Sequence, residues 1–275
     1  VSLAATNEAS GSGTTPSPGS PNTSSSNLTP PAIRQVEHSP QQPTSDESVT
    51  ITAKLTDPDG MGPVTVGYQI VNPGSYIRLE DSAYESSWIS VKMSDDGNNG
   101  DLVSGDSVYT AVLPKAVQSH RRLIRYRIHF EDANGTAETA PYADDQQPNF
   151  AYFVYDGAPS WAGSFNPTSR RETFPSSLIN SLSTYHLIAN STDVNNSQYS
   201  GGSNGRHMKG TIVYNRRVYD HIDFENRGEA STYVAGKNKW RIHFNRARRF
   251  RPLDNWGQPY DSTWTRINVQ PMSSP

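Results

Sequence analysis

Alternation of apolar and polar residues is the feature that most limits the folds open to this chain. It runs through residues 49–55, 64–70 and 124–130, and an aromatic-rich stretch at 150–154 repeats it. A period of two places successive side chains on opposite faces of a strand, so each stretch predicts a β-strand with one buried and one wet face. In the third stretch, the face predicted to be wet carries Arg125, Arg127 and His129.

Turn-forming residues separate these predicted strands at 57–60, 95–97 and 132–135, where Asp and Gly recur. Six to eight short strands within 32–156, with no helical periodicity, predict an antiparallel β-sandwich of immunoglobulin or fibronectin type III architecture. The sequence has no cysteine, which excludes disulfide scaffolds, thiolate metal sites and the Cys…Trp…Cys core of true immunoglobulin domains. The sandwich resemblance is therefore one of architecture.

The flanking segments have a different composition. Residues 1–31 are mostly Ser, Thr, Pro, Gly and Asn, which predicts a disordered linker because too little apolar surface is available to offset the ordering entropy. Such spacers commonly hold a secreted or cell-surface module away from its anchor, although a mobile terminus without a role remains an alternative. Residues 157–182 are predicted to be a second linker ending in a short helix at 176–182, and the last unit occupies 183–275.

Charge and hydropathy exclude some partners. The formal net charge is −3, which gives no general argument for nucleic acid, so no nucleic-acid partner is predicted. No apolar run approaches the roughly 18–20 residues that cross a bilayer, so no membrane span is predicted.

A loop of the predicted sandwich concentrates oxygen ligands. Asp95, Asp96, Asp101 and Asp106 lie among Asn and Gly residues in one short stretch. Calcium prefers six to eight oxygen ligands, so these four carboxylates are candidate calcium ligands. The spacing departs from the twelve-residue helix–loop–helix pattern, and Asp, Asn and Gly also form tight turns without any metal. Both interpretations remain open.

The last unit is predicted to contain a β-meander. A strand at 184–189 and a polar loop at 190–205 precede two strands at 211–214 and 218–224, which are joined by a hairpin at 215–217, and a third strand covers 239–244. On the third strand, Trp240, Ile242 and Phe244 are predicted to enter a core. Lys239, Arg241 and His243 then form a cationic stripe on the opposite face.

Further arginines extend this charge at 246, 248, 249 and 251. In a chain of net charge −3 the clustering is local and suits an anionic ligand such as phosphate. Ordinary solvent-facing arginines are the alternative.

The run at 210–228, followed by Ser231 and by 236–245, resembles the opening of the CotH family, which consists of atypical protein kinases related to a spore-coat protein. The strand at 185–188 also looks like the one that begins these domains. In large secreted bacterial proteins, such a domain often follows β-sandwich modules. The resemblance implies an α+β segment whose meander is similar to a kinase N-lobe, with ATP and Mg as cofactors in the complete protein. The nucleotide-binding residues that it implies are Arg227, Gly228, Ser231, Lys237, Lys239 and Arg241.

The resemblance implies two things about activity. The complete protein would phosphorylate Ser or Thr of a partner protein. The second half of such a kinase, with its metal-binding and acceptor-orienting acids, is not seen before Pro275, so this chain is expected to be a truncated fragment that is inactive alone. Asp220, Asp254 and Asp261 are available acids, but none lies in a recognisable motif, and the catalytic residues stay unknown.

The alternative hypothesis is a non-catalytic surface protein that binds a glycan or a protein. Its sandwich would supply aromatic rings for stacking on sugars, with Tyr76, Tyr84, Trp88 and Trp161 as candidates.

Overall fold

The computed structural model describes residues 31–58, 60–164, 170–199, 207–227 and 239–270. Within these ranges the protein is mainly β, which confirms the predicted fold class. Most of the N-terminal segment predicted to be disordered lies outside the described residues. In the described part of the chain, no helix has the length and apolarity required to cross a membrane.

Eight strands form between residues 32 and 156, in agreement with the six to eight expected. They are β1 (Ala32–Ser39), β2 (Val49–Thr56), β3 (Met61–Val71), β4 (Ile89–Lys92), β5 (Val108–Leu113), β6 (Leu123–Asp132), β7 (Ala137–Ala140) and β8 (Phe150–Phe153). One sheet has the order β1-β2-β5, and the other has the order β4-β3-β6-β7, with β8 also pairing with β6. Every pairing is antiparallel. A short helix, α1 (Ser82–Ser86), precedes β4.

The two sheets share one apolar core. The alternating residues of β2, from Val49 to Leu55, contact the inward residues of β3 and β6, from Val64 to Phe130. This packing follows directly from the period-two pattern, because one face of each strand carries its apolar side chains. The predicted turns at 57–60 and 132–135 join β2 to β3 and β6 to β7.

A five-stranded sheet, which we call the third sheet, lies between residues 185 and 269 and has the order β11-β12-β13-β14-β15. Its strands are β11 (Tyr185–Ala189), β12 (His207–Tyr214), β13 (Arg217–Arg227), β14 (Lys239–His243) and β15 (Arg266–Val269). The predicted parity of β14 is correct. Ile242 and Phe244 are buried in the core of this sheet, and Trp240 packs against it.

Two predictions for the connecting segments were wrong. The linker contains a two-stranded ladder of β9 (Trp161–Gly163) and β10 (Glu172–Phe174), which precedes the expected short helix α2 (Ser176–Asn180). The polar loop contains helix α3 (Ser191–Tyr199). Asn190 acts as the N-cap of α3, because its Oδ1 accepts a hydrogen bond from the Thr192 amide at 3.0 Å.

The third sheet packs on the outer face of the sheet that contains β6. Val71, Leu123 and Phe153 of the sandwich form one apolar cluster with Ile188 of β11 and Val213 of β12. The expectation that this face of β6 is wet was therefore wrong at Arg125, whereas His129 on the same face is exposed. Arg125, predicted to face solvent, is 0% exposed because the third sheet covers it.

Candidate functional site

A buried polar network lies at the centre of the interface between the sandwich and the third sheet. The Asp220 carboxylate of β13 accepts hydrogen bonds from Arg125 Nε at 2.7 Å and from the Tyr76 hydroxyl at 2.8 Å. Thr211, Asn149 and the His221 amide also donate to it. Both carboxylate oxygens of Asp220 therefore accept hydrogen bonds from groups of the protein. Asp220, one of the acids available to a kinase reaction, serves instead to join the two parts of the fold.

Burial and neighbouring charges set the protonation of this network. Burial favours the neutral acid at Asp220, but the charges of Arg125 and His221, with the hydrogen bonds from Arg125 and Thr211, outweigh it and hold the pKa well below its usual range. Burial lowers the pKa of His221 to about 4, so this imidazole is neutral at pH 7. His221 also has a φ of 54°, a left-handed conformation that is uncommon for a non-glycine residue.

The residues implied to bind nucleotide lie partly within the described structure. Arg227 and Lys239 are cross-strand partners on β13 and β14, and Arg241 is the cross-strand partner of Glu225. The structure therefore brings Arg227, Lys239 and Arg241 to neighbouring positions on one sheet. Gly228, Ser231 and Lys237 lie outside the described residues.

The charge of Arg241 is already neutralised. Its guanidinium forms an ion pair with Glu225, whose carboxylate also lies 3.4 Å from His243 and 3.4 Å from His207. Burial raises the pKa of Glu225, but the hydrogen bonds from His243 and Arg241 have the larger combined effect, and the net shift is downward. Much of the predicted cationic stripe is therefore engaged by one carboxylate, a pairing that strand parity alone did not reveal.

The acidic loop brings three of its four predicted calcium ligands together. Carboxylate oxygens of Asp95, Asp101 and Asp106 lie within 4.8 Å of one another, whereas Asp96 is not in the group. Asp95 accepts hydrogen bonds from the amides of residues 105–107, and Asp101 accepts one from the Gly97 amide. These bonds are the ones that tight turns require, so the loop geometry has an explanation without metal.

The aromatic residues proposed for sugar stacking are mostly engaged inside the protein. Tyr76 and Tyr84 are buried, which rules them out as stacking platforms in this structure. The Arg127 guanidinium lies over the Trp88 ring, with its central carbon 4.0 Å from the ring centre. Only Trp161 is well exposed, and it stacks on Phe174.

A second group of aromatic rings was missed in the sequence. Trp256, Tyr260 and Trp264 lie in one loop between β14 and β15, which we call the aromatic loop. Their exposed fractions are 83%, 51% and 39%. Asp254 shapes this loop, because its Oδ1 accepts hydrogen bonds from the amides of Trp256 and Gln258. Three aromatic residues within nine positions were the available signal.

No family model matches the chain, and no curated protein matches it. The similarity to the CotH family therefore stays a prediction that rests on the residues quoted above.

Proposed function

We propose that this chain is a non-catalytic binding module of a secreted or cell-surface protein, with a polysaccharide as its ligand. The observation that carries the proposal is the aromatic loop, whose three aromatic residues are all exposed. Folded proteins seldom leave neighbouring large aromatic side chains in water without a role, and aromatic faces are suited to stacking on sugar rings.

The hydrogen bonds already made by Asp220 and Asp254 support a binding role over a catalytic one. A phosphoryl-transfer site needs acidic residues that are available for metal and for the acceptor hydroxyl. Asp220 is saturated by hydrogen bonds in the buried interface, and Asp254 holds the backbone of the aromatic loop. The buried Asp220 carboxylate is not available for such chemistry in this arrangement, whereas Asp261 is exposed.

A pull-down with insoluble polysaccharides tests the proposal. We expect the chain to sediment with a β-linked glycan such as cellulose or chitin, and we expect the double variant Trp256→Ala/Tyr260→Ala to stay in the supernatant. Tyr142→Ala is the matched control, because it removes an exposed aromatic side chain from a different part of the fold. Equal sedimentation of the double variant and the parent protein would refute the assignment to the aromatic loop.

A second candidate is the nucleotide-binding lobe of a CotH-like kinase. It is supported by the grouping of Arg227, Lys239 and Arg241 on a five-stranded antiparallel sheet. In the complete protein, this lobe would bind ATP with Mg, and Ser or Thr of a partner protein would accept the phosphoryl group.

Calorimetry with Mg-ATP tests the second candidate. Lys239→Met should weaken binding, whereas Lys209→Met should not, because Lys209 is on the same sheet but is paired with Asp223 at 2.9 Å. No phosphoryl transfer is expected from this chain alone, and transfer from labelled ATP above the no-protein control would contradict that expectation.

A further inference from the structure

Six arginines line one cleft of about 420 Å³ beside the hairpin that joins β12 and β13 of the third sheet, and no Asp or Glu is among its lining residues. We call it the arginine cleft, and its arginines are Arg216, Arg217, Arg246, Arg248, Arg249 and Arg251. We propose that the arginine cleft binds a compact polyvalent oxyanion of the oligophosphate class, such as the phosphate chain of a di- or triphosphate. It is a different surface from the group formed by Arg227, Lys239 and Arg241.

One wall of the cleft is the hairpin between β12 and β13. Tyr214 pairs with Arg217, so the loop consists of only two residues, Asn215 and Arg216. Their φ angles are 48° and 62°, as a two-residue hairpin of this handedness requires. Asn and Gly adopt such angles readily, whereas Arg does so at a cost. An arginine at a strained position where glycine would fit is an indication of function.

The opposite wall is the segment after β14. Phe250 is buried in the core of the third sheet. Its backbone amide and carbonyl both form hydrogen bonds with the backbone of Trp264. Because Phe250 points inward, its neighbours Arg249 and Arg251 point outward, and both are exposed. The Arg251 amide donates to the Tyr219 hydroxyl at 3.1 Å, which fixes the segment against β13.

The two parts of the fold both contribute to this cleft. His38 and Gln41 of the sandwich line it together with the arginines of the third sheet. The Arg246 amide donates to Gln146 Oε1 at 2.8 Å, and this bond also crosses between the two parts. The geometry of the cleft is thus fixed by the same packing that buries Asp220.

The charges in the cleft are poorly compensated. Among the described residues, Arg248 alone of the six has a carboxylate within 4.0 Å, since its Nη2 lies 3.9 Å from Asp145. The Arg248 Nε is buried and has no hydrogen-bond partner. His38 adds no charge at neutral pH, because burial lowers its pKa. Six like charges at one cleft repel one another, and a bound polyanion relieves that repulsion.

The chemistry of arginine selects the ligand. A guanidinium donates two parallel hydrogen bonds to one phosphate, so six arginines that line one cleft match a short chain of phosphates. A single carboxylate would leave most of the cationic charge uncompensated. A long sulfated polysaccharide needs an extended groove, whereas this cleft is compact. The ring of Tyr219, the only aromatic side chain other than His38 in the lining, is buried in the core, so no stacking platform for a nucleobase is present among the lining residues.

Titration calorimetry with sodium tripolyphosphate at low salt tests the inference. We expect saturable binding that weakens strongly between about 0.05 M and about 0.5 M NaCl, because both partners are charged. Arg216→Gly and Arg249→Gln should each weaken binding about tenfold, the typical result of removing one charge-assisted contact. Arg216→Gly is informative because it relieves the left-handed strain, so weaker binding cannot be explained by unfolding.

Controls separate this site from the alternatives. Arg34→Gln removes an exposed arginine of the sandwich and should not change tripolyphosphate binding. ATP should bind no more tightly than tripolyphosphate if only the phosphates are recognised. The inference is overturned if tripolyphosphate does not bind or if Arg216→Gly and Arg249→Gln bind it normally. It is also overturned if ATP or a heparin-derived hexasaccharide binds more than tenfold more tightly.

Discussion

Arg125 of β6 donates from its Nε to Oδ2 of Asp220 on β13 across 2.7 Å, and both side chains are completely excluded from water. The pair joins the sandwich to the third sheet through residues 95 positions apart in the chain. Isolated buried charges are costly, so each partner requires the other. The two parts of the fold are therefore coupled by charge as well as by their apolar cluster.

Breaking this pair should destabilise the protein strongly. Asp220→Asn leaves the Arg125 guanidinium buried without a counter-charge, at an expected cost of about 3–5 kcal/mol. The double variant Arg125→Met/Asp220→Leu should cost less than the sum of the two single changes, because it removes both charges together. Urea unfolding at neutral pH measures the parent protein, Asp220→Asn, the double variant and the single variants Arg125→Met and Asp220→Leu. Additive single effects would show that the pair is not coupled.

Stability should fall with acid over a defined range. The pKa of His221 is lowered to about 4 in the folded protein, against an ordinary value of 6.5, so only the unfolded chain takes up this proton as the pH falls between those values. The free energy of unfolding should drop by up to about 3 kcal/mol over that interval. Asp220 acts in the same direction at lower pH, since its pKa is also depressed and its contribution is lost only as it protonates.

His221→Asn isolates the contribution of the imidazole. Asn tolerates the left-handed backbone at this position but does not titrate. In urea unfolding between pH about 7 and about 4.5, the free energy of unfolding should depend less on pH for the variant than for the parent protein. The variant's stability at pH 7 should be lower, because the bond to Asn149 is lost. An unchanged slope would assign the acid sensitivity to another group.

Gly210 of β12 should not tolerate a side chain. A Cβ atom there would overlap the Ile188 carbonyl oxygen and lie 2.5 Å from Phe224 Cε2. Gly210→Ala should cost about 1–3 kcal/mol through overpacking, measured as a lower melting temperature. Gly67→Ala in β3 is the control, because its nearest neighbour would be Trp88 at 3.7 Å, an ordinary contact. That variant should be neutral or more stable.

Calcium titration distinguishes the two interpretations of the acidic loop. If Asp95, Asp101 and Asp106 hold an ion, millimolar calcium should raise the melting temperature, and Asp106→Asn should reduce the rise. Magnesium serves as the control, because it prefers a smaller octahedral site. No rise with calcium assigns the cluster to turn formation.

The strands were predictable because their apolar faces follow a simple period. The alternation at 49–55 and 64–70 led to the correct position of β2 and β3 and to the correct fold class. The same reasoning failed at Arg125, because an arginine in an alternating strand predicts solvent when nothing in the local sequence shows what will cover it. Its partner Asp220 is distant in the chain, and the pairing depends on tertiary packing.

The candidate sites were predictable only in part. The arginines at 246–251 were recognisable as a local cluster, but their approach to the hairpin at 215–217 required the three-dimensional structure. The engagement of Arg241 by Glu225 depends on the register of β13 and β14, which parity does not determine. Tyr76 and Tyr84 illustrate a limit of composition, because aromatic residues serve cores more often than ligands.

The buried face of β6 also limits how the protein can be divided in the laboratory. A shortened protein ending near residue 156 would expose Val71, Leu123 and Phe153 to water. It would also leave Arg125 without its partner Asp220. Such a surface favours aggregation during expression and crystallisation. The remaining C-terminal piece would carry the matching unpaired aspartate. The segment at 157–182 therefore looks like a domain boundary in composition, yet the unit to express extends across it.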